Sequence, residues 1–377
     1  MKTPLILATI ALLLLAACAP AQETAPAKQF TLGIIAPMSG PSAWIGEFVT
    51  SSLYLAIEDV NAQGGIDGQP IKVVLEDAGD PAKSSTAANK LIAQDNVDFI
   101  YTVTTPVTAS ASGVAEQNGV PLFGFTAVQT YAKKNTWIFS DLRDIVQECK
   151  LLSAVALKNN DKKLAFLGND ADFSEECYQT LEQEFVSAGG QLVAKEMKPS
   201  NDPDARTIIT KLKSINPDGV VLVCWSPDCN LIYKQMQELQ FAPQLYLPIG
   251  TALSANPIAV KDLNKDTILA GAYATDQDID PDAPSPEMAA FVQRLKDKMG
   301  PNKIAPHADA AVAFDNMHEI AIAANKCPGI AKDCIRDRLA ETDYTGVTGH
   351  VAFEGRHYSA RPARVVHYEN SKWVPVV

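Results

Sequence analysis

The sequence is short of positive charge. It carries 32 Lys and Arg against 44 Asp and Glu, a net charge of −12. A nucleic-acid binder needs basic clusters that displace counterions from phosphates, and docking on an anionic membrane surface asks for the same. Neither is expected of this chain. Also missing are the G-x-S-x-G elbow, the G-x-x-x-x-G-K-[ST] loop and the G-x-G-x-x-G turn, so the usual hydrolase, nucleotide and dinucleotide signatures are absent. The five histidines are scattered (His307, His318, His350, His357 and His367), and His318-Glu319 has no second histidine four residues on. With no catalytic constellation in view, the expectation is a non-enzyme without cofactor or metal. One calcium-like run, Asp276, Asp278, Asp280 and Glu287, has EF-hand spacing but carries Pro281 where that loop needs a glycine. It reads as an acidic connector.

A membrane-spanning run is missing as well. Leu5 to Leu15 is predominantly apolar, yet as a helix it rises only about 16 Å against a roughly 30 Å hydrocarbon core. After Lys2 and ending in Ala16-Ala17-Cys18, it has the form of a secretory signal. Leu15-Ala16-Ala17-Cys18 resembles the bacterial lipoprotein box, which implies cleavage before Cys18 and a lipid anchor on that residue. The following Ala19 to Ala27, rich in Pro and Ala, reads as a tether.

Seven cysteines are too few for a disulfide scaffold and many for a cytosolic protein. With Cys18 lipidated, six remain: Cys149, Cys177, Cys224, Cys229, Cys327 and Cys334. Outside the cytoplasm an even set predicts disulfides, with about fifteen connectivities open in principle. Adjacency favours Cys224 with Cys229 and Cys327 with Cys334, leaving Cys149 and Cys177 as the long-range pair.

From Phe30 onward, short apolar runs alternate with amphipathic segments. Strands are predicted around Leu32 to Ile35, Ile71 to Leu75, Phe99 to Val103 and Val120 to Phe125. Helices are predicted between them, one with Asp80 as cap and Pro81 in its first turn. This alternation means βαβ units and a parallel sheet. The rhythm restarts near Trp137 to Arg143, and Asp202-Pro203…Asp218-Gly219-Val220 echoes Asp80-Pro81…Asp98-Phe99-Ile100. The fold predicted is α/β, two doubly wound parallel-sheet lobes. Residues 1–17 are the signal and 18–29 the lipidated tether. Residues 30–140 plus 274–343 form the first lobe, and 141–273 plus 344–377 the second.

Two stretches carry a resemblance, Ile34-Ile35-Ala36-Pro37-Met38-Ser39-Gly40-Pro41 and Asp59-Val60-Asn61-Ala62-Gln63-Gly64-Gly65-Ile66-Asp67-Gly68. The match continues through Asp77-Ala78-Gly79-Asp80-Pro81 and into Gly346 to Phe353. They resemble the leucine/isoleucine/valine-binding protein family, type I periplasmic binding proteins that serve ABC importers. The resemblance implies three hinge crossovers, a small-molecule solute clamped between the lobes, an ABC permease with its ATPase as partner, and a monomer. It also implies a ligand site at the carboxyl ends of the strands. The matching positions are Ser39 and Trp44 after the first strand, Thr104 and Thr105 at a helix start, and Thr126. In the second lobe they are Phe173, Trp225 and Gly250. Hydroxyls and free N–H groups at a helix start suit a carboxylate.

Two positions depart from the family. Val128 stands where amino-acid binders often carry a hydroxyl, and Ile249 where the family places its ammonium-binding Glu. A buried ammonium without a carboxylate partner is costly, so either Asp170, Asp172 or Asp228 replaces that Glu or the ligand has no amino group. The expected ligand is a small apolar carboxylate, a branched-chain amino acid or a related organic or aromatic acid. A sensory receptor and an amide- or urea-type solute binder remain the alternatives on the same fold.

Overall fold

The computed structural model describes residues 28–199, 202–225, 228–248, 250–251, 268–272, 285–300, 303, 307–359, 363–369 and 372–375. The signal run, Cys18, the tether, Ile249 and the acidic residues 276–280 lie outside them.

The first sheet is built from β1 (Thr31–Ala36), β2 (Lys72–Asp77), β3 (Phe99–Val103), β4 (Leu122–Phe125) and β5 (Ile138–Phe139). All pair in parallel, in the order β2-β1-β3-β4-β5. Parallel neighbours need crossovers, and the helices between these strands supply them: α1 (Ala43–Ala62), α2 (Pro81–Ala93), α3 (Thr105–Asn118) and the short α4 (Thr130–Lys134). Side chains alternate across the sheet with a period of two. Leu32, Ile34, Tyr101, Val103, Phe123 and Phe125 pack on the face covered by α1. Ile35, Ile100 and Leu122 pack on the other, against α2 and α3. Asp80 caps α2, accepting from the Lys83 N–H at 2.9 Å.

The second half repeats the scheme with α5 (Ile145–Lys158), β6 (Lys163–Asn169), α6 (Asp172–Leu181), β7 (Gln191–Lys198), α7 (Arg206–Ile215), β8 (Gly219–Val223), α8 (Asp228–Glu238), β9 (Gln244–Pro248) and β10 (Ile268–Ala272). Two-sided alternation recurs. Ala165, Leu167, Val220 and Leu222 face α7 and α8, while Leu164, Phe166, Val221 and Val223 face α5 and α6. The chain then returns to the first lobe as α9 (Pro286–Met299) and α10 (His307–Asn325), followed by α11 (Lys332–Ala340) and a hairpin, β11 (Asp343–Gly346) with β12 (Gly349–Ala352). Finally β13 (Ala363–Glu369) and β14 (Lys372–Pro375) join the second sheet, in the order β14-β13-β10-β9-β8-β6-β7. The architecture is α/β in two lobes, each sheet covered on both faces.

At the edge of the otherwise parallel second sheet, β13 and β14 enter antiparallel. Two expectations are corrected. The echo at Asp202-Pro203 does not start a helix. Asp202 instead accepts from the Asp204 N–H and Asp204 from the Arg206 N–H, both at 2.9 Å, so the turn delays α7 to Arg206. The boundary expected at 343/344 falls too early. Val351 and Phe353 belong to the first-lobe core, with the Phe353 ring set edge-on to Phe123 and Phe139 at 6.2 and 6.0 Å. The return crossing therefore follows Phe353.

That crossing runs beside the outgoing one. The Ser140 N–H donates to His357 O at 3.1 Å and the Ser359 N–H to Ser140 O at 3.3 Å. Asp141, fully buried, accepts from the Ser359 hydroxyl and from Asn316 Nδ2 at 3.2 Å. Gln129 Nε2 reaches Leu142 O at 2.9 Å and Ser359 O at 3.1 Å. A buried carboxylate so partnered fixes the two crossings against each other. The six cysteines pair as Cys149–Cys177, Cys224–Cys229 and Cys327–Cys334, with Cα–Cα distances of 5.5, 5.4 and 5.7 Å.

Candidate functional site

Both sheets present their carboxyl edges with loops and helix starts, the place where ligands bind in open α/β sheets. In the first lobe, Ser39 and Trp44 follow β1. Gly46 has no room for a side chain, since a Cβ would strike the Pro37 carbonyl. Its absence lets α1 press onto this loop. Asp77, at the end of β2, accepts from the Met38 and Ser39 N–H groups at 2.8 and 3.2 Å. The Ser39 hydroxyl, with these amides, holds the Asp77 carboxyl below the ordinary range. Trp44 is half-buried beside Phe48, ring centroids 5.7 Å apart. Its indole N–H is buried and has no hydrogen-bond partner among the described residues.

Thr104 follows β3 and precedes α3 with φ 82°, in the region a β-branched residue avoids. Such strain, worth on the order of 1–3 kcal/mol, persists only where the surroundings enforce it. Here the Thr104 N–H is tied to Phe125 O at 3.1 Å. No side chain caps the start of α3. Beside it, the Thr105 and Thr126 hydroxyls meet at 2.9 Å, and Thr126 Oγ1 accepts from the Val128 N–H at 3.1 Å. Val128 itself is buried against the second lobe's core, near Ile145 and Cys149.

In the second lobe the strand ends converge on a narrow cleft. Phe173, in the first turn of α6, stands edge-on to Trp225, with centroids 5.4 Å apart and planes at 78°. Gly250 closes the wall, and a Cβ there would come within 2.7 Å of Arg143 Nη2 and 3.0 Å of Trp225 Cη2. The remaining wall includes Ala127, Arg143, Glu148, Val223 and Thr251. Thr251 accepts from the Cys224 N–H at 3.1 Å. The Cys224–Cys229 bridge closes the loop that carries Trp225, and Asp228 pairs with fully buried Lys198 at 2.8 Å.

Of the residues singled out from sequence, Phe173, Trp225 and Gly250 come together in this cleft. Thr104, Thr105 and Thr126 form a second group in the first lobe, linked to the cleft through Ala127, the neighbour of Thr126. Ser39 and Trp44 line the first lobe's own edge, and Val128 packs behind Ala127. Ile249 lies outside the described residues. Two charged wall residues went unnoticed. Arg143, 3% exposed, pairs with Asp309 at the start of α10 and lies 3.5 Å from Glu148 Oε1 through Nε. Its guanidinium sits 5.7 Å from the Trp225 ring centroid. Glu148 carried a signal, because it interrupts the apolar stripe Ile145, Cys149, Leu152 on α5.

A family model described as "Periplasmic binding protein" matches residues 29–372. The chain belongs to this family, in its leucine/isoleucine/valine-binding, type I branch. Its members are extracytoplasmic solute-binding proteins that work with ABC transporter permeases, and they are not enzymes. A Brucella suis relative, "Leu/Ile/Val-binding protein homolog 7", is 27% identical over 344 residues, covering 88% of this chain and 84% of its own. Two solved structures share the fold. One is a branched-chain amino acid transporter substrate-binding protein from Streptococcus pneumoniae in complex with isoleucine (TM-score 0.78, 23% identity, 93% and 100% covered). The other is an ABC-transporter solute-binding protein from Rhodopseudomonas palustris in complex with 3,4-dihydroxybenzoic acid (TM-score 0.80, 20% identity, 93% and 96% covered). No helix among the described residues is long and apolar enough to cross a membrane, and none of their His, Cys, Asp and Glu side chains cluster as a metal site.

Proposed function

We propose that this periplasmic binding protein captures a small, largely apolar carboxylate for an ABC importer, held at the membrane by a lipid on Cys18. The observation that carries the reading is the perpendicular Phe173–Trp225 pair lining a small cleft at the carboxyl ends of β6 and β8. Aromatic walls favour an apolar body, at roughly 25 cal/mol per Å² of surface removed from water. The acid end suits the first lobe. There the uncapped start of α3, the Thr105–Thr126 hydroxyl pair and the unpartnered Trp44 indole N–H offer donors without a cation. A solute touching both lobes favours the closed state, because only there are both sets of contacts made. Relatives whose ligands are isoleucine and a dihydroxybenzoic acid support a ligand of this size and polarity.

The test is a thermal-shift screen of the chain truncated before Cys18, against aliphatic and aromatic carboxylates, amino acids and amides. A ligand bound only by the native state raises Tm by mass action, by the equivalent of about 2.7 kcal/mol at 100 times Kd. Carboxylates are expected to raise it; a screen in which no carboxylate does so defeats the reading. The anchor is tested separately. Palmitate labelling of the expressed full chain is expected, and its persistence in Cys18→Ala would exclude lipidation at that residue.

A further inference from the structure

β7 is the outermost strand of the second sheet, and a lysine at the end of such a strand ordinarily reaches into water. Lys198 turns inward instead and is fully buried. It pairs in register with Asn169 at the end of β6, the strand that separates β7 from β8. Across that strand end, Lys198 Nζ donates to Asp228 Oδ1 at 2.8 Å, and also to Pro199 O at 3.0 Å. The Lys198 carbonyl accepts from the Asp170 N–H at 3.2 Å. One residue thus ties the carboxyl ends of β7 and β6 to the start of α8. Asp228, 8% exposed, adjoins Cys229, whose N–H donates to Trp225 O at 3.1 Å and whose sulfur is bridged to Cys224. The facing aromatic is held from behind as well. The hydroxyl of fully buried Ser174, the neighbour of Phe173, lies 2.8 Å from Asn169 Oδ1 and 3.3 Å from Val223 O.

We infer that Lys198 is a positioning residue for solute capture, holding the Trp225 indole edge-on to Phe173 through Asp228. The inference rests on the aromatic-walled carboxylate site read above and names a residue that sets its affinity without touching the solute. Neither Lys198 nor Asp228 belongs to the cleft wall among the described residues. A buried ion pair adds little net stability, because desolvating both charges offsets their attraction. Apolar replacement of both partners is often neutral or stabilising. What such a pair does supply is a short, directional, charge-assisted bond. Here that bond fixes the first residue of α8, three positions after Trp225. A binding wall works best when its side chains are locked before the ligand arrives, since each side chain ordered on binding subtracts from affinity.

The experiment removes both charges together, so that neither is left buried alone. In the double variant Lys198→Met with Asp228→Leu, Tm is expected at or above the wild-type value. The Kd for benzoate and for 4-methylpentanoate, read by calorimetry, is expected to rise about 3- to 10-fold, the scale of one side chain that must now be ordered on binding. Labelling with 5-fluorotryptophan reports the cause. Of the four tryptophans, the one whose fluorine resonance disappears in Trp225→Phe is expected to shift or split in the double variant, with the other three unmoved. A lowered Tm with Kd and this resonance as in wild type marks a merely structural pair and overturns the inference. So does an unchanged Kd beside a moved resonance. A wild-type chain that no carboxylate stabilises defeats the carboxylate reading instead, and the resonance still decides whether Lys198 holds Trp225. If the double variant does not fold, Lys198→Gln with Asp228→Asn, closer in shape, carries the same comparison.

Discussion

At the scale of single residues, the lobe interface holds charged groups whose surroundings oppose their charge. Glu176, on α6, is partly buried, and one of its carboxylate oxygens has no hydrogen-bond partner. Burial raises its pKa above the ordinary 4.5, helped by the neighbouring Asp144 and Asp172 and opposed by Thr130 and Lys133. The folded chain therefore holds this proton to a higher pH than the unfolded chain does. Stability is lost as pH climbs from the ordinary carboxylate range through the raised value, and the cost is present in full near neutrality. Glu176→Gln, always neutral, is expected to melt higher than wild type at pH 7 and to converge with it near pH 4. Melting curves across that range check the sign. A mutant less stable at pH 7 would show that the charge is needed.

At the scale of elements, the start of α3 concentrates the first lobe's donors. Thr105→Val keeps the shape of the side chain but removes one of two buried hydroxyls 2.9 Å apart. Thr126 still accepts from the Val128 N–H at 3.1 Å, so the stability loss should stay near ~1 kcal/mol. Affinity for a carboxylate should fall about tenfold or more, since one lost hydrogen bond to a charged group is worth ~1.5–3 kcal/mol. Calorimetry on the folded variant reads both, and unchanged affinity would remove this helix start from the site. The strands of both sheets were legible because buried parallel strands read as apolar runs of five or six residues, bounded by turns. The Phe173 and Trp225 positions were legible because they follow such runs. Asp80 and Asp202 show where local reading stops. Each precedes proline, yet only Asp80 caps a helix, because Asp202 and Asp204 spend their carboxylates on an intervening turn. Arg143 and Asp309 were illegible for a different reason. They are 166 positions apart and meet only because α10 returns to the first lobe beside the outgoing crossing. No periodicity in either segment announces that encounter.

At the scale of the whole molecule, two lobes with separate cores are joined by crossings that run side by side, and their boundary could not be read from the tail. The stretch 343–353 alternates like a strand of either sheet; only the packing of Phe353 on Phe123 and Phe139 decides that it belongs to the first lobe. The disulfides respect that division. Cys149–Cys177 ties α5 to α6 within the second lobe, closing a separation of 28 residues. Replacing both cysteines by serine is expected to cost about 2–4 kcal/mol, with ligand-induced compaction preserved. Chemical denaturation and small-angle scattering measure the two effects, and loss of compaction in a folded variant would show that the bridge reaches beyond its lobe.

The three bridges span separations of only 28, 5 and 7 residues, and in each case the partner is the next cysteine along the chain after Cys18. With Cys18 blocked by the proposed lipid, a chain emerging N-terminus first into an oxidising compartment meets each correct partner before any wrong one is available. Consecutive pairing makes oxidation a by-product of emergence, and a disulfide isomerase has little to correct. Among the described residues no disulfide joins one lobe to the other, so the bridges stiffen each lobe and leave the crossings between them to the peptide chain alone.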